Sequence, residues 1–234
     1  MISDNIKQLK QDVDDICRRL HRDPREIKIV AVTKTVPVLK IEEAINCGVE
    51  IIGENRIQET EEKYRQISSP AQWHFIGHLQ KNKVKKAVKI FDLIQSVDSL
   101  VLVEEINRQA QLINKVQEIL IEIKISPEPT KYGVAPQDLK SFLAVVGNGR
   151  DRSLQNIKIK GLMTIGPLLN NLEQTRPYFR RMKDLYEEAK LQNIPGIKME
   201  ILSMGMSDDY QIALEEGSNM IRIGRMIFGE RSKI

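Results

Sequence analysis

Lys34 directly follows the apolar run Ile29-Val-Ala-Val-Thr and precedes Pro37, so it sits where a short strand ends and a helix begins. An amine at a strand end, partly withdrawn from water, shifts toward its neutral nucleophilic form and can add to an aldehyde. Position alone leaves a fully solvated lysine equally open. A second cluster, Ser203-Met204-Gly205-Met206-Ser207, runs into Asp208 and Asp209. Gly205 permits close backbone approach, and the helix expected after it offers first-turn N–H groups to an anion. The same residues also read as plain helix-end chemistry, with Ser207 as N-cap, the aspartates complementing the helix dipole and Gly217 ending the helix. A third cluster, Arg222 with Gly224 and Arg225, closes the last strand. Alternation turns Arg222 to the side opposite Ile221 and Ile223, and a guanidinium on the interior side requires an anion or a ring acceptor. Gly224 exposes backbone N–H, and Arg225 supplies charge to a phosphate. Both arginines lying in water is the alternative. Brought to one face, the three clusters combine an amine nucleophile with a phosphate cradle, which suits a phosphorylated aldehyde.

The elements that must position these residues alternate between strand and helix patterns. Strands are expected at residues 29–33, 50–53, 72–76, 93–97, 119–125, 159–164, 198–203 and 220–223. Helical patterns lie near 38–47, 57–66, 81–88, 100–114, 136–146, 172–192 and 208–216. A further helix at about 3–21 carries Ile6, Leu9, Val13, Ile16 and Leu20 as one apolar stripe, with Ser3 as its N-cap. Such alternation implies parallel strands with right-handed crossovers. Roughly eight strands favour an α/β fold of the single (β/α)8 TIM-type barrel over an open sheet, one domain spanning 1–234. In a barrel the loops after the strands share one face, and phosphates often sit after the seventh and eighth strands. Residues 126–129 and 147–153 read as surface loops, and neither is long enough for a domain linker.

Hydrophobic residues make up 41% of the 234 and charged residues 29%, the balance of a globular domain with a sizeable core. Net charge is +4, which suits a small anionic ligand and is too weak to argue for nucleic acid. No apolar run approaches a membrane span, and the first residues have no signal-peptide pattern. Cys17 and Cys47 read as buried thiols of a reducing, cytoplasmic compartment. No face shows an excess of apolar residues, so a monomer is expected.

Other candidates are weaker. His74 and His78 flank a strand end without a cysteine or carboxylate to complete a metal set. The basic run 81–89 has Val84, Ala87 and Val88 as a helical inner face, which makes it a solvated helix surface. No Ser–His–Asp set or Walker-type loop is present.

A set of ordered segments carries a resemblance over essentially the full length: Ala31-Val-Thr-Lys-Thr, Gly53-Glu-Asn, Trp73-His-Phe-Ile-Gly-His-Leu-Gln-Lys-Asn-Lys83, Gly161-Leu-Met-Thr, Leu202-Ser-Met-Gly-Met-Ser-Asp-Asp209, and Ile221-Arg-Ile-Gly224 with Ile227-Phe-Gly229. With these the chain resembles the pyridoxal phosphate homeostasis protein family. The resemblance implies a barrel like the N-terminal domain of alanine racemase, with pyridoxal 5′-phosphate (PLP) at its mouth as a Schiff base on Lys34. It maps phosphate contacts onto Ser207, Gly224 and the following residue; Met204 and Gly205 of the second cluster are counted with them as cofactor-binding residues. It puts Arg222 near the pyridine nitrogen and Asn55 and His74 in the pocket lining. Arg225 departs from the small hydroxyl residue often found at its position, so the backbone N–H or the guanidinium would have to serve there.

An arginine beside the ring nitrogen disfavours ring protonation and weakens the electron sink that PLP catalysis uses. Alanine racemase adds a second acid/base group from a further domain, and the expectation here is that none follows the barrel. The resemblance therefore implies a PLP carrier in cofactor homeostasis without catalysis of its own, delivering to PLP-dependent apo-enzymes. The alternative is a monomeric PLP-dependent amino-acid racemase or decarboxylase.

Overall fold

The computed structural model describes residues 1–126, 128, 131–147, 154–194 and 196–230. The chain opens with helix α1 (Ile2–Arg19) and then alternates: β1 (Lys28–Val32), α2 (Val38–Asn46), β2 (Ile51–Glu54), α3 (Ile57–Gln66), β3 (Gln72–Phe75), α4 (Val84–Ile90), β4 (Leu93–Val97), α5 (Leu100–Gln111), β5 (Gln117–Glu122), α6 (Leu139–Gly147), β6 (Ile157–Met163), α7 (Arg176–Leu191), β7 (Ile197–Met206), α8 (Tyr210–Glu215), β8 (Met220–Ile223) and α9 (Arg225–Phe228). The strands close into a barrel in sequence order, every pair parallel, and β8 returns to β1 through registers such as Val30 opposite Arg222. The expected α/β barrel is therefore the observed one. Among the described residues no helix is long and apolar enough to cross a membrane.

Period-2 alternation separates two layers. Val30, Ile51, Leu93, Leu120, Met163, Ile201 and Met220 form an apolar cluster contributed by seven of the strands, which plugs the barrel. Residues of opposite parity, such as Ala31, Ile52, Ile94 and Leu202, pack outward against the helices. The apolar stripe of α1 is buried against Tyr210, Leu214, Ile221 and Ile227, covering the seam where the last strand meets the first. Full burial of each such aliphatic side chain is worth about 1.5–3 kcal/mol.

Several local expectations need correction. α1 begins at Ile2 with Met1 in the N-cap position, so Ser3 lies inside the first turn. The basic run divides into a 3-10 turn at Lys81–Lys83 and α4, because the buried Val84, Ala87 and Val88 set the helical face only from Val84 onward. Cys17 is fully buried in the α1 stripe, whereas Cys47 at the C-cap of α2 is only half-buried. The seventh strand reaches Met206, three residues beyond its expected end at 203. The loops expected at 126–129 and 147–153 fall largely on residues outside the described set.

Candidate functional site

A cavity of about 630 Å³ opens at the C-terminal ends of the strands. Val32, Lys34, Asn55, Glu122, Ser207, Arg222, Gly224 and Arg225 line it, together with His78 and Tyr132. Lys34 lies two residues past the end of β1 and is half-buried, with its side chain toward the cavity on the parity of Val30 and Val32. Asn55 stands one residue past β2 on the same face. Thus six of the nine residues singled out from sequence (Lys34, Asn55, Ser207, Arg222, Gly224, Arg225) meet at one mouth.

A buried polar relay forms the floor. Arg222 is 4% exposed, and its guanidinium donates to Ser203 Oγ at 2.6 Å and to the Thr164 carbonyl at 2.7 Å. Ser203 donates onward to Gln95 Oε1 at 2.7 Å, and Gln95 Nε2 lies 3.0 Å from His74 Nδ1. Burial lowers the His74 imidazole to about 3, with Lys28 adding to the effect, so the ring is neutral and Nδ1 accepts from Gln95. Each group donates to the next in one direction, an arrangement that polarises the chain and fixes the Arg222 guanidinium. Burial also lowers the guanidinium to about 10, against the opposing charges of Asp209 and Glu122, which leaves it a cation at neutral pH.

His74, Met204 and Gly205 do not line the cavity. His74 is 3% exposed and acts beneath the floor through the relay. Met204 is fully buried in the sheet–helix core, on the outward parity that it shares with Leu202. Gly205, at φ +96°, faces α8, where a Cβ would come within 2.6 Å of Ala213 Cβ. The helix expected from residue 208 starts at Tyr210, with Asp209 rather than Ser207 in the N-cap position. Asp209 Oδ1 accepts the Met206 N–H at 2.6 Å, so this carboxylate occupies the turn that an anion would have used. The polar rim that remains is Ser207 Oγ, which accepts the Gly224 N–H at 3.3 Å, and Arg225, which is ion-paired to Asp208 and lies 3.7 Å from Glu230.

Residues 5–232 match the family described as alanine racemase, N-terminal domain. A pyridoxal phosphate homeostasis protein of Aquifex aeolicus is 41% identical over 229 residues, covering 97% of this chain and 97% of the relative. That of Escherichia coli is 34% identical over 234 residues, covering 98% and 97%. The chain belongs to the pyridoxal phosphate homeostasis protein family. The structure of PipY from Synechococcus elongatus with PLP bound, a family relative by its 32% identity, superposes with a TM-score of 0.85 over 98% of this chain and 100% of that one. An alanine racemase of Clostridium difficile superposes with a TM-score of 0.69 at 17% identity, covering 96% of this chain and 57% of that one, a likeness of fold alone.

In this member of the family the cavity also holds groups not expected there from sequence. Glu122, at the end of β5, is 6% exposed and lines the cavity on the interior parity of Leu120. Its signal was a carboxylate between two isoleucines, hidden inside an apolar run. His78 and Tyr132 stack with ring centroids 3.7 Å apart, and His78 Nδ1 lies 3.4 Å from Asp98. They come from the segments after β3 and β5, which local sequence does not connect. Lys131 bridges two further segments, donating to Glu128 at 3.0 Å and to the Gly166 carbonyl at 2.6 Å.

Burial pushes the Glu122 carboxyl up to about 7, the charge of Asp98 adds to the rise, and Arg222 opposes it. A solvated glutamate loses its proton near 4.5, so between these values the folded state binds more protons than the unfolded one. The stability that protonated Glu122 contributes is therefore complete below about pH 4.5 and lost as pH rises through about 7. Glu122→Gln is expected to gain on the wild type by up to about 3 kcal/mol as pH rises over that window. Urea unfolding of both proteins across the range measures the gap, and a gap independent of pH rejects this placement.

Proposed function

We propose that this chain binds PLP at the barrel mouth, holds it as a Schiff base on Lys34 and serves intracellular PLP homeostasis without catalysis of its own. The observation that carries the reading is one cavity lined by Lys34, the buried Arg222 and the Ser207–Gly224–Arg225 rim. The donor set fits the group. Arg222 has N–H donors and no acceptor, which matches an unprotonated pyridine nitrogen. The Ser207 hydroxyl and the Gly224 N–H suit phosphate oxygens, and Arg225 reaches them if it exchanges Asp208 for the phosphate. Lys34, which lines the same cavity, is the amine that would hold the aldehyde carbon, with one water released. The family relatives and the PLP-bound PipY structure support PLP binding and a homeostasis role.

When bound, PLP supplies an electron sink whose strength depends on a protonated ring nitrogen. Arg222, kept cationic and fixed by the Ser203–Gln95–His74 relay, withholds that proton. The role that follows is retention of the cofactor and its delivery to PLP-dependent apo-enzymes by a cytoplasmic monomer. The test combines borohydride trapping with a turnover assay across the proteinogenic amino acids and their D-isomers. The expected result is a reduced adduct on the wild-type chain and no turnover near the ~1 s⁻¹ scale of ordinary enzymes. Steady racemisation or decarboxylation at that scale would establish the enzyme alternative instead.

A further inference from the structure

We propose that a buried cluster behind the barrel wall, Glu54–Lys63–Glu59, is a positioning device for Lys34. It grips the backbone on both sides of that residue and so sets the aim of its amine into the cavity. The inference deepens the cofactor reading and rests on it.

Lys63 projects from α3 with its side chain 8% exposed, and Nζ donates to Glu54 Oε1 at 2.7 Å and Glu59 Oε1 at 2.6 Å. It also donates to the carbonyl of Thr33, the residue before Lys34, at 2.6 Å. The Thr33 hydroxyl donates to the same Glu54 oxygen at 2.7 Å. On the other side of Lys34, the Thr35 N–H donates to Glu59 Oε1 at 2.6 Å. Thr35 adopts φ +62°, a left-handed conformation that a β-branched residue keeps only where its surroundings impose it. Its N–H is held by the Glu59 oxygen, and its hydroxyl donates to the Lys34 carbonyl at 2.6 Å. The peptide groups flanking Lys34 are thereby tied to one ammonium and one carboxylate, while Glu54 holds the Thr33 hydroxyl.

Stability does not account for this cluster. Glu54 is fully buried, its Oε2 has no hydrogen-bond partner, and burial pushes its carboxyl up in spite of Lys63 and Thr33. Burial works the same way on Glu59, but the hydrogen bonds from Lys63 and from the Thr35 N–H outweigh it and hold that carboxyl below its usual range. Buried ions of this kind are commonly no more stabilising than apolar residues of the same size, so their value lies in fixing geometry. Glu54, Glu59 and Lys63 line none of the cavity and touch the segment on either side of Lys34, which makes them positioning residues.

Glu59 is the partly exposed member and the safest to replace. Glu59→Leu removes the acceptor for the Thr35 N–H, and Glu59→Gln keeps an oxygen in its place. Two quantities are read for each full-length variant: the rate at which a borohydride-trapped PLP adduct appears on Lys34, and the affinity for pyridoxine 5′-phosphate, which has ring and phosphate but no aldehyde. Glu59→Leu is expected to slow adduct formation by roughly tenfold, Glu59→Gln to stay within about threefold of the wild type, and analogue affinity to stay within about twofold in both. An unchanged adduct rate in Glu59→Leu overturns the inference, as does a loss of analogue affinity in step with the rate, the mark of general loosening. A wild-type chain that forms no adduct overturns the cofactor reading, and this inference with it.

Discussion

Lys34→Ala is expected to abolish the borohydride-stable PLP adduct while the chain stays folded. Lys34 is half-buried at the cavity mouth and outside the apolar plug, so truncation opens no core cavity. Arg222 and the Ser207–Gly224 pair are untouched by the substitution, so on the proposed reading PLP is still expected to associate without a covalent bond. Loss of the imine is expected to weaken that association by at least tenfold, each tenfold step being about 1.4 kcal/mol. Mass spectrometry of the reduced protein, with absorbance before reduction, reads both effects. The sharpest challenge is Lys131, which lines the same cavity and donates to Glu128 and the Gly166 carbonyl. An adduct formed at wild-type yield and mapped to Lys131 in Lys34→Ala would assign the amine to the wrong strand end.

The second large effect concerns the frame rather than the cavity. Gly161 in β6 has φ +150°, where the strand shifts register against β5 and β7. A Cβ at this position would overlap the Ile201 carbonyl oxygen and lie 2.7 Å from its carbon. The obstacle is the backbone of β7, which no rotamer change relieves. Gly161→Ala is expected to destabilise the fold by about 3–5 kcal/mol, combining a conformation closed to L side chains with displacement of a central strand. Because β7 also carries Ser203 and reaches the rim at Met206, any variant that folds should form the Lys34 adduct more slowly. Denaturant unfolding checks the first expectation, and a midpoint equal to the wild type would show that β7 yields at no cost.

Legibility of the site tracked the distance over which each cause acts. Lys34, Arg222 and Gly224 stand at the ends of short apolar strands, and strand parity suffices to aim them. The same rule turns Met204 outward with Leu202, and only Gly205 departs from it, where β7 shifts register between Ser203 and Met206. The Ser207 N-cap was misread for a related reason: the turn is closed by Asp209, whose carboxylate reaches the Met206 N–H. Glu122 was overlooked since an isolated carboxylate in an apolar strand carries no local mark of which layer it faces.

What the sequence by itself determined is the alternation of eight strand and helix periods and the residue types waiting at the strand ends, because both depend on neighbours a few positions apart. Only the tertiary structure decided which of those residues meet. Arg222, Ser203, Gln95 and His74 come from four strands, and barrel closure alone makes them one relay. Lys63 reaches across from α3 to hold Thr33 and, through Glu59, Thr35. Register and helix placement set those distances, and they follow from packing the whole chain at once.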